Sequence, residues 1–549
     1  MNLTTAIRER VRTGLPLEDL FPDSLPAFVR SPAYFFGIIT LSSLVLLILS
    51  GIILAAFGPQ WWHTSPVGHF VNSFHFWGAE IFFFSITLHL WTEFFKGSWR
   101  HGRRLTWVSG ALTFLAGIVT AFTGYLSMTN FSAQWIAVQG KDVFNAVGIG
   151  TFLNLLNFGQ VYGFHIMLLP LLLILLVGLH LVQIRIRGVV RPYALTLEEE
   201  QMRETYWGGR KRKKQGATSN PSRPLASDQA TYYRGLRMMP YDLVREGLFA
   251  LCAVFLLLLI PACFLSSPDE PPLTLQQYAR QNPIGFVTTA MMELEGTSTI
   301  AQYGPPYNQQ TDAVQSIGSF SLQNTAGVTI PIDTAHDYVL DPLAVAAQTN
   351  SQVGTALHTF THATAKQQFV WEDAYAKNLG KATVSNDHVV MPKGNYGPLS
   401  TMMDHLQTLG SSGTFDSLLL HSTGFYQNDF TRPLLFLSED ALPTKAEQFS
   451  LLGSQWGIMN EIGNYPGQTW LWLYTFWYQI PPYNTAPNVD LLVVLTMAVL
   501  TALFVLFPYV PYLNRLPYFL GIHHLIWREY YHDVRAEQKV EAARHGPMA

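Results

Sequence analysis

Apolar residues gather into six long runs, near 33–57, 70–95, 106–127, 161–184, 245–265 and 489–510. Each is long enough to cross a hydrocarbon layer about 30 Å thick as a helix. A seventh stretch, TWLWLYTFWYQIPPY at 469–483, is too short and too aromatic to span, and reads as an interfacial or re-entrant helix. The first four runs follow one another closely and predict a four-helix bundle over 31–190. A further helix is expected at 244–266, and another after the re-entrant segment within 466–511. Between them lies a long polar region, 267–465, rich in Gly, Thr, Asn and Gln, with turn signals such as YGPPYN and KGNYGP. It holds enough Leu, Phe, Tyr and Val for a core and predicts an inserted folded domain of mixed α and β structure. The fold class expected is therefore mainly α: a polytopic membrane protein with an N-terminal bundle, about two further transmembrane helices and one inserted domain. Residues 1–30 predict an amphipathic surface segment, with Arg8, Arg10 and Arg12 set against Leu15, Leu17 and Phe21. No signal-peptide pattern is expected there.

Four histidines interrupt the second and fourth runs. His75 and His89 are fourteen residues apart in FHFWGAEIFFFSITLHLW, and His165 and His180 are fifteen apart in FHIMLLPLLLILLVGLHL. Helical geometry leaves the first pair about 40° out of phase and about 21 Å apart in rise, and the second about 60° and 22 Å. Each helix thus offers two imidazoles on nearly one face, toward opposite sides of the membrane. Set antiparallel, the helices could clamp two haems, His75 with His165 and His89 with His180, since imidazole is a good axial ligand for haem iron. Scattered core or interfacial histidines are the plainer reading. Ionisable groups within membrane helices are costly and usually functional, and the matched intervals argue against scatter. Gly37 and Gly51 in the first run, and Gly110 and Gly124 in the third, repeat the fourteen-residue interval. They would clear space for a haem lying flat against a helix, although glycines also serve plain close packing of membrane helices.

Charged residues make up 13% of the chain and aromatic residues another 13%, which favours a membrane protein over a soluble enzyme, and the net charge of −3 carries no nucleic-acid signal. Cys252 and Cys263 lie in or at the end of one apolar run and read as packing residues, since no CxxC or CxxCH spacing occurs. The loop KGSWRHGRR at 96–104 is basic, as is the connection 191–243 with RKRKK at 210–214. The positive-inside rule places both on the cytoplasmic side. The N-terminus, His89, His180 and the tail 512–549 follow them there. Residues 266–465 carry 18 Asp and Glu against 7 Lys and Arg, in keeping with an extracytoplasmic location for the insertion.

With these residues in view, the region 30–190 resembles cytochrome b, most closely the b6 type of the plastoquinol and menaquinol complexes. The fifteen-residue interval, SFHFWGAE, RRLTWVSG, TGYLS and Pro170 five residues after His165 carry the resemblance. Residues 241–265, and the piece from YPGQTW through FPYVPYLNRLP, resemble subunit IV more weakly. The resemblance implies two haems b, a quinone or quinol substrate, and a homodimeric complex in a prokaryotic cell membrane. It also implies a Rieske iron–sulfur protein and a c-type cytochrome, or another redox subunit, as partners. Three departures stand out. The family's PEWY, whose Glu takes a quinol proton, is replaced by Pro466-Gly467-Gln468-Thr469. The Arg that follows the first ligand in b6 is Phe76, and the last two helices of subunit IV are absent.

Glu80, within the second run, and Glu461, just before PGQT, are the candidates for a replacement proton acceptor, each set against a purely structural role. His358 and His362 have i, i+4 spacing suited to a metal, yet no third ligand is identifiable, so solvated histidines are the simpler reading. The doublet His523-His524 reads as an interfacial pair. Three functions compete. The leading one is a dihaem cytochrome b subunit of a quinol:acceptor oxidoreductase. The second is a dihaem conduit that has lost ordinary outer quinol oxidation and works with an extracytoplasmic redox partner. The third is a non-catalytic assembly scaffold, against which four intact candidate ligands argue.

Overall fold

The computed structural model describes residues 3–5, 22–208, 232–233, 235–266, 269–421, 428–452 and 469–544. Residues 6–21 of the expected amphipathic segment 1–30, and the basic run at 210–214, therefore lie outside the described residues. Six long helices correspond to the six apolar runs: α1 (Phe35–Phe57), α2 (Pro66–Phe95), α3 (Arg104–Leu126), α4 (Phe158–Arg187), α5 (Leu243–Phe264) and α6 (Val489–Leu506). Five of them are long and apolar enough to cross a membrane. The remaining one, α2, equals α4 in length at 30 residues. Its apolar character is diluted by Asn72, Ser73, His75, Glu80, Ser85, His89 and Glu93. Two compact units divide the chain, one of Met1–Ala121, Ile166–Ser267 and Ala498–Ala549, the other of Phe122–His165 and Pro268–Met497.

In the first unit α1 packs along α2, and α5 lies against both. Leu46, Phe74, Val254, Leu258 and Ala262 fill that contact, with Leu258 wholly buried. Ser65 starts α2 by accepting the N–H of Gly68, and Asp242 starts α5 by accepting that of Arg245; both satisfy donors that a helix N-terminus leaves unpaired. Cys252 and Cys263 are free and exposed rather than packed. The basic connection after α2 is buried: Lys96, Arg100, His101 and Arg103 are all under a tenth exposed. Arg100 pairs with Glu200, whose second oxygen accepts the Ala194 N–H at 2.8 Å. Burial opposes a charged Glu200, but Arg100 and His101 outweigh it and hold the carboxyl at about 2. The C-terminal segment docks here too, with Trp527 and Tyr531 buried against Phe28, Val190 and Tyr193. The doublet is thereby split. His523 is buried, its ring 4.5 Å from that of Tyr193, while His524 is exposed.

The second unit corrects the expectation of mixed α and β structure. Among the described residues of 269–452 it is built from short helices, with one hairpin of three-residue strands, Thr383–Ser385 and His388–Val390. The polar residues that suggested turns between strands cap helices instead. Thr274, Asn282, Ser298, Ser321, Asn350 and Thr364 each accept a backbone N–H from the first turn that follows. Helix Leu399–Ser412 is central. It buries Leu399, Met402, Met403, Leu406, Gln407 and Gly410, a stripe of helical period. Gly410 is needed there because a Cβ would stand 2.7 Å from the ring of Phe286. Helix Phe131–Ala146 adds Phe131, Trp135 and Val138 to the same core.

Glu293 sits in that core, fully buried, with one oxygen accepting from Ser298 at 2.6 Å and the other without a partner among the described residues. Burial pushes its carboxyl up to about 8, against an ordinary 4.5. The folded state thus keeps a proton that the unfolded state releases, and stability falls as pH rises between these values. Glu293→Gln is expected to flatten that slope and to raise the thermal midpoint at pH 8. Midpoints that fall in parallel for both proteins from pH 5 to 8 would contradict this.

Candidate functional site

His75 and His89 stand on α2, and His165 and His180 on α4, where Phe164–Leu168 forms a π turn. Pro170 has no N–H to give to the carbonyl one turn back, and a π turn accommodates about one extra residue. Fifteen residues of α4 therefore cover about the rotation of fourteen, and the phase difference from α2 that spacing alone predicts is largely removed.

Each of the four glycines meets a different one of these histidines. An ideal Cβ would lie from the imidazole Cε1 at 3.1 Å for Gly37 and His89, and at 3.2 Å for Gly51 and His75. The corresponding distances are 2.9 Å for Gly110 and His180, and 2.5 Å for Gly124 and His165. At these four positions the missing side chains leave room for the imidazole rings.

The residue before three of these glycines carries a hydroxyl. Ser50 Oγ lies 2.9 Å from His75 Nδ1, Ser109 Oγ 3.1 Å from His180 Nδ1, and Thr123 Oγ1 3.5 Å from His165 Nδ1. Ser50 donates its own proton to the Leu46 carbonyl at 2.8 Å, and Ser109 donates to that of Thr106 at 3.0 Å. Both hydroxyls can thus accept from Nδ1 of His75 and His180, which favours the tautomer with its proton on Nδ1. That is the tautomer a metal ligand needs, fixed by its outer partner. The fourth glycine follows Phe36, which has no hydroxyl. His89 Nδ1 instead faces the Glu93 carboxylate at 3.8 Å, and Glu93 also accepts from Lys96 and Ser98. Ser50, Ser109, Thr123 and Glu93 escaped the sequence reading. A hydroxyl residue directly before the glycine was the available signal for three of them.

His89 and His180 line one cavity of about 250 Å³, together with Gly37, Gly110 and largely apolar side chains of α1 to α4. Tyr34, Glu93, Ser98 and Arg103 form its polar end. An apolar chamber lined by two imidazoles, with a polar rim, would suit a haem, whose macrocycle is apolar and whose propionates are charged. This pair lies within the first unit, as does His75, whereas His165 belongs to the second. Glu80 is half-buried on α2. Glu461 and Pro466 to Gln468 lie outside the described residues. His358 and His362 stack ring on ring at 3.8 Å. No group of three or more His, Cys, Asp or Glu suited to a metal ion occurs among the described residues.

The cytochrome b (N-terminal)/b6/petB family matches residues 80–272, which include His89, Gly110, Gly124, His165 and His180. Over these residues the chain is similar to the N-terminal part of cytochrome b/b6. Cytochrome b6 of Heliomicrobium gestii is 25% identical over 201 residues, covering 33% of this chain and 94% of that protein. The menaquinol:cytochrome c reductase cytochrome b subunit of Bacillus subtilis is 28% identical over 182 residues, covering 29% of this chain and 81% of its own length. A chain of a hyperthermophilic respiratory complex III aligns with 55% of this chain and 92% of its own at 20% identity, with a TM-score of 0.30, too low to infer a shared fold. The similarity of 80–272 to the cytochrome b/b6 N-terminal family points to haem b binding, and the glycine-seated histidines are the residues that would fit it.

The four contacts differ in tolerance. Gly124→Ala puts a methyl group 2.5 Å from His165, and Gly51→Ala puts one 3.2 Å from His75. The first substitution is expected to lower the haem-to-protein ratio or disturb the low-spin spectrum, and the second to do so far less. Equal damage from both, measured by pyridine haemochrome and absorbance, would show that the contact is not responsible.

Proposed function

We propose that this chain is the dihaem cytochrome b subunit of a membrane quinol:electron-acceptor oxidoreductase of the bc/b6f type. Two haems b, one ligated by His89 and His180 and the other by His75 and His165, would carry electrons across the membrane. The observation that carries this reading is the repeated seat: four histidines at matched intervals, each against a glycine of a neighbouring helix, two of them sharing one cavity. Bound haem supplies reversible one-electron transfer. The chain's own part is to hold the imidazoles, fix their tautomers and exclude water. The helical rise places His75 and His89 about 21 Å apart along α2. Gly37, Gly51, Gly110 and Gly124 seat the ligands. A Rieske protein and a c-type cytochrome, or another redox subunit, would complete a complex that the family resemblance makes homodimeric.

The positive-inside rule supports a cytoplasmic N-terminus and an extracytoplasmic 267–465 in a prokaryotic cell membrane. A second reading, a conduit without ordinary outer quinol oxidation, draws on Gly467 and Gln468, neither of which can take a proton where PEWY has its Glu. Reduction of the b haems by quinol, with the cytoplasmic-side site blocked by an inhibitor, separates the two: rapid reduction supports the first, none the second.

Pyridine haemochrome is expected to give close to two haems per polypeptide, with low-spin spectra. His89→Ala or His180→Ala should remove the cytoplasmic-side haem and leave the other largely intact. A single haem, or a high-spin major species, in the unaltered chain would refute the assignment. Protease added to right-side-out vesicles should cut within 267–465 and spare 209–225, and the reverse pattern would invert the topology.

A further inference from the structure

The short helix Trp472–Trp477 and the start of α6 bring two phenols to one carboxylate, all within the second unit. Tyr478 donates to Asp490 Oδ1 at 2.7 Å, and the hydroxyls of Tyr474 and Tyr478 are 2.8 Å apart. Tyr478 has one proton, already committed to Asp490, so its oxygen must accept from Tyr474. The chain of bonds thus runs one way, Tyr474 to Tyr478 to Asp490, and leaves the Tyr474 oxygen able to accept a further proton. Spacing of i, i+4 holds the two phenols on one face. Gln315, from the 269–452 region, fixes the far end. Its amide donates to Asp490 Oδ2 at 2.6 Å and its carbonyl accepts the Leu491 N–H at 3.1 Å. The adjacent Trp477 has a buried indole N–H with no acceptor among the described residues, a donor that a bound oxygen could satisfy.

We propose that Tyr474, Tyr478 and Asp490 form the relay that takes a proton from quinol at the outer face, with Asp490 supplying the carboxylate that PGQT lacks. The proposal rests on reading the chain as a quinol oxidoreductase subunit. The step is a proton transfer. A quinol O–H bond breaks as an O–H bond forms on Tyr474, the Tyr474 proton passes to Tyr478, and the Tyr478 proton passes to Asp490. Quinol becomes quinolate, the carboxylate becomes a carboxylic acid, and both tyrosines end neutral. The quinolate electrons leave one at a time for a one-electron carrier among the partner subunits and for the membrane electron path. The other charged groups acting on Asp490 are Asp142 and Lys141, themselves paired at 2.8 Å. Asp142 also accepts from Tyr303.

The test uses the whole complex in native membranes, with a short-chain naphthoquinol as donor, the cytoplasmic-side site inhibited, and haem b absorbance as the readout. General-base assistance is worth about 10²–10⁴ in rate. Asp490→Asn and Tyr478→Phe should each slow reduction about tenfold or more at unchanged haem content. Asp490→Glu should keep most of the rate with a displaced pH profile, which a purely structural role for Asp490 would not produce. Should Asp490→Asn fail to assemble, Tyr474→Phe and Tyr478→Phe, which leave the Gln315 bonds intact, decide the matter alone. Variants as fast as wild type would overturn the relay and leave the oxidoreductase reading standing. No reduction in the wild type would overturn that reading, and the relay with it.

Discussion

An imidazole can press against a neighbouring helix only where that helix has no Cβ, and α1 and α3 meet this condition four times. Gly37, Gly51, Gly110 and Gly124 each lie against a different histidine of α2 or α4, at separations a side chain would crowd. Much else follows from this close seating. The residue before each glycine is brought to the Nδ1 edge of the ring, so a serine or threonine there can fix the tautomer and free Nε2 for a metal. The π turn before Pro170 lets α4 keep step with α2 despite its longer interval. The His89 position departs from the pattern. Phe36 provides no hydroxyl, and a carboxylate takes its place beside the ring. A charged neighbour is one of the levers by which a protein sets the potential of a haem, so the two proposed haem sites differ in electrostatics from the ligand outward.

Charge elsewhere in the first unit is managed by burial with partners. Arg100 is almost fully buried, yet Glu200 and the face of Tyr193, 3.5 Å away, answer its charge. Removing one member of such a pair leaves the other uncompensated in a poor solvent for ions. The connection after α2 is thereby tied to the segment after α4 and to the docked C-terminal residues.

In the second unit, the 269–452 region reaches α6 through polar contacts that include Gln315 to Asp490 and Asn488 to the Ser316 carbonyl, the latter at 2.9 Å. Its helical core is therefore continuous with the foot of the segment that resembles a quinol-site loop. This gives the large polar region a chemical part in the proposed relay in addition to any role in assembly.

Long apolar runs, the histidine intervals and the repeated glycines are local properties, and a reader of the chain alone could find them. They suffice for the membrane helices, the cytochrome b resemblance and the candidate ligands, because helical period converts spacing directly into position. The helical nature of 269–452 was not legible. Thr, Asn and Ser serve turns and helix caps alike, and only the backbone that follows shows which. The partners of the candidate ligands were hidden for a related reason. Ser50 and Ser109 are ordinary residues of membrane helices until packing brings an imidazole to them. Asp490 and Gln315 are 175 residues apart, and no periodicity links them. Covalent order along a helix determined which residues could be ligands, whereas contact between distant segments decided what each ligand touches, because hydrogen bonds and excluded volume act only over a few ångströms.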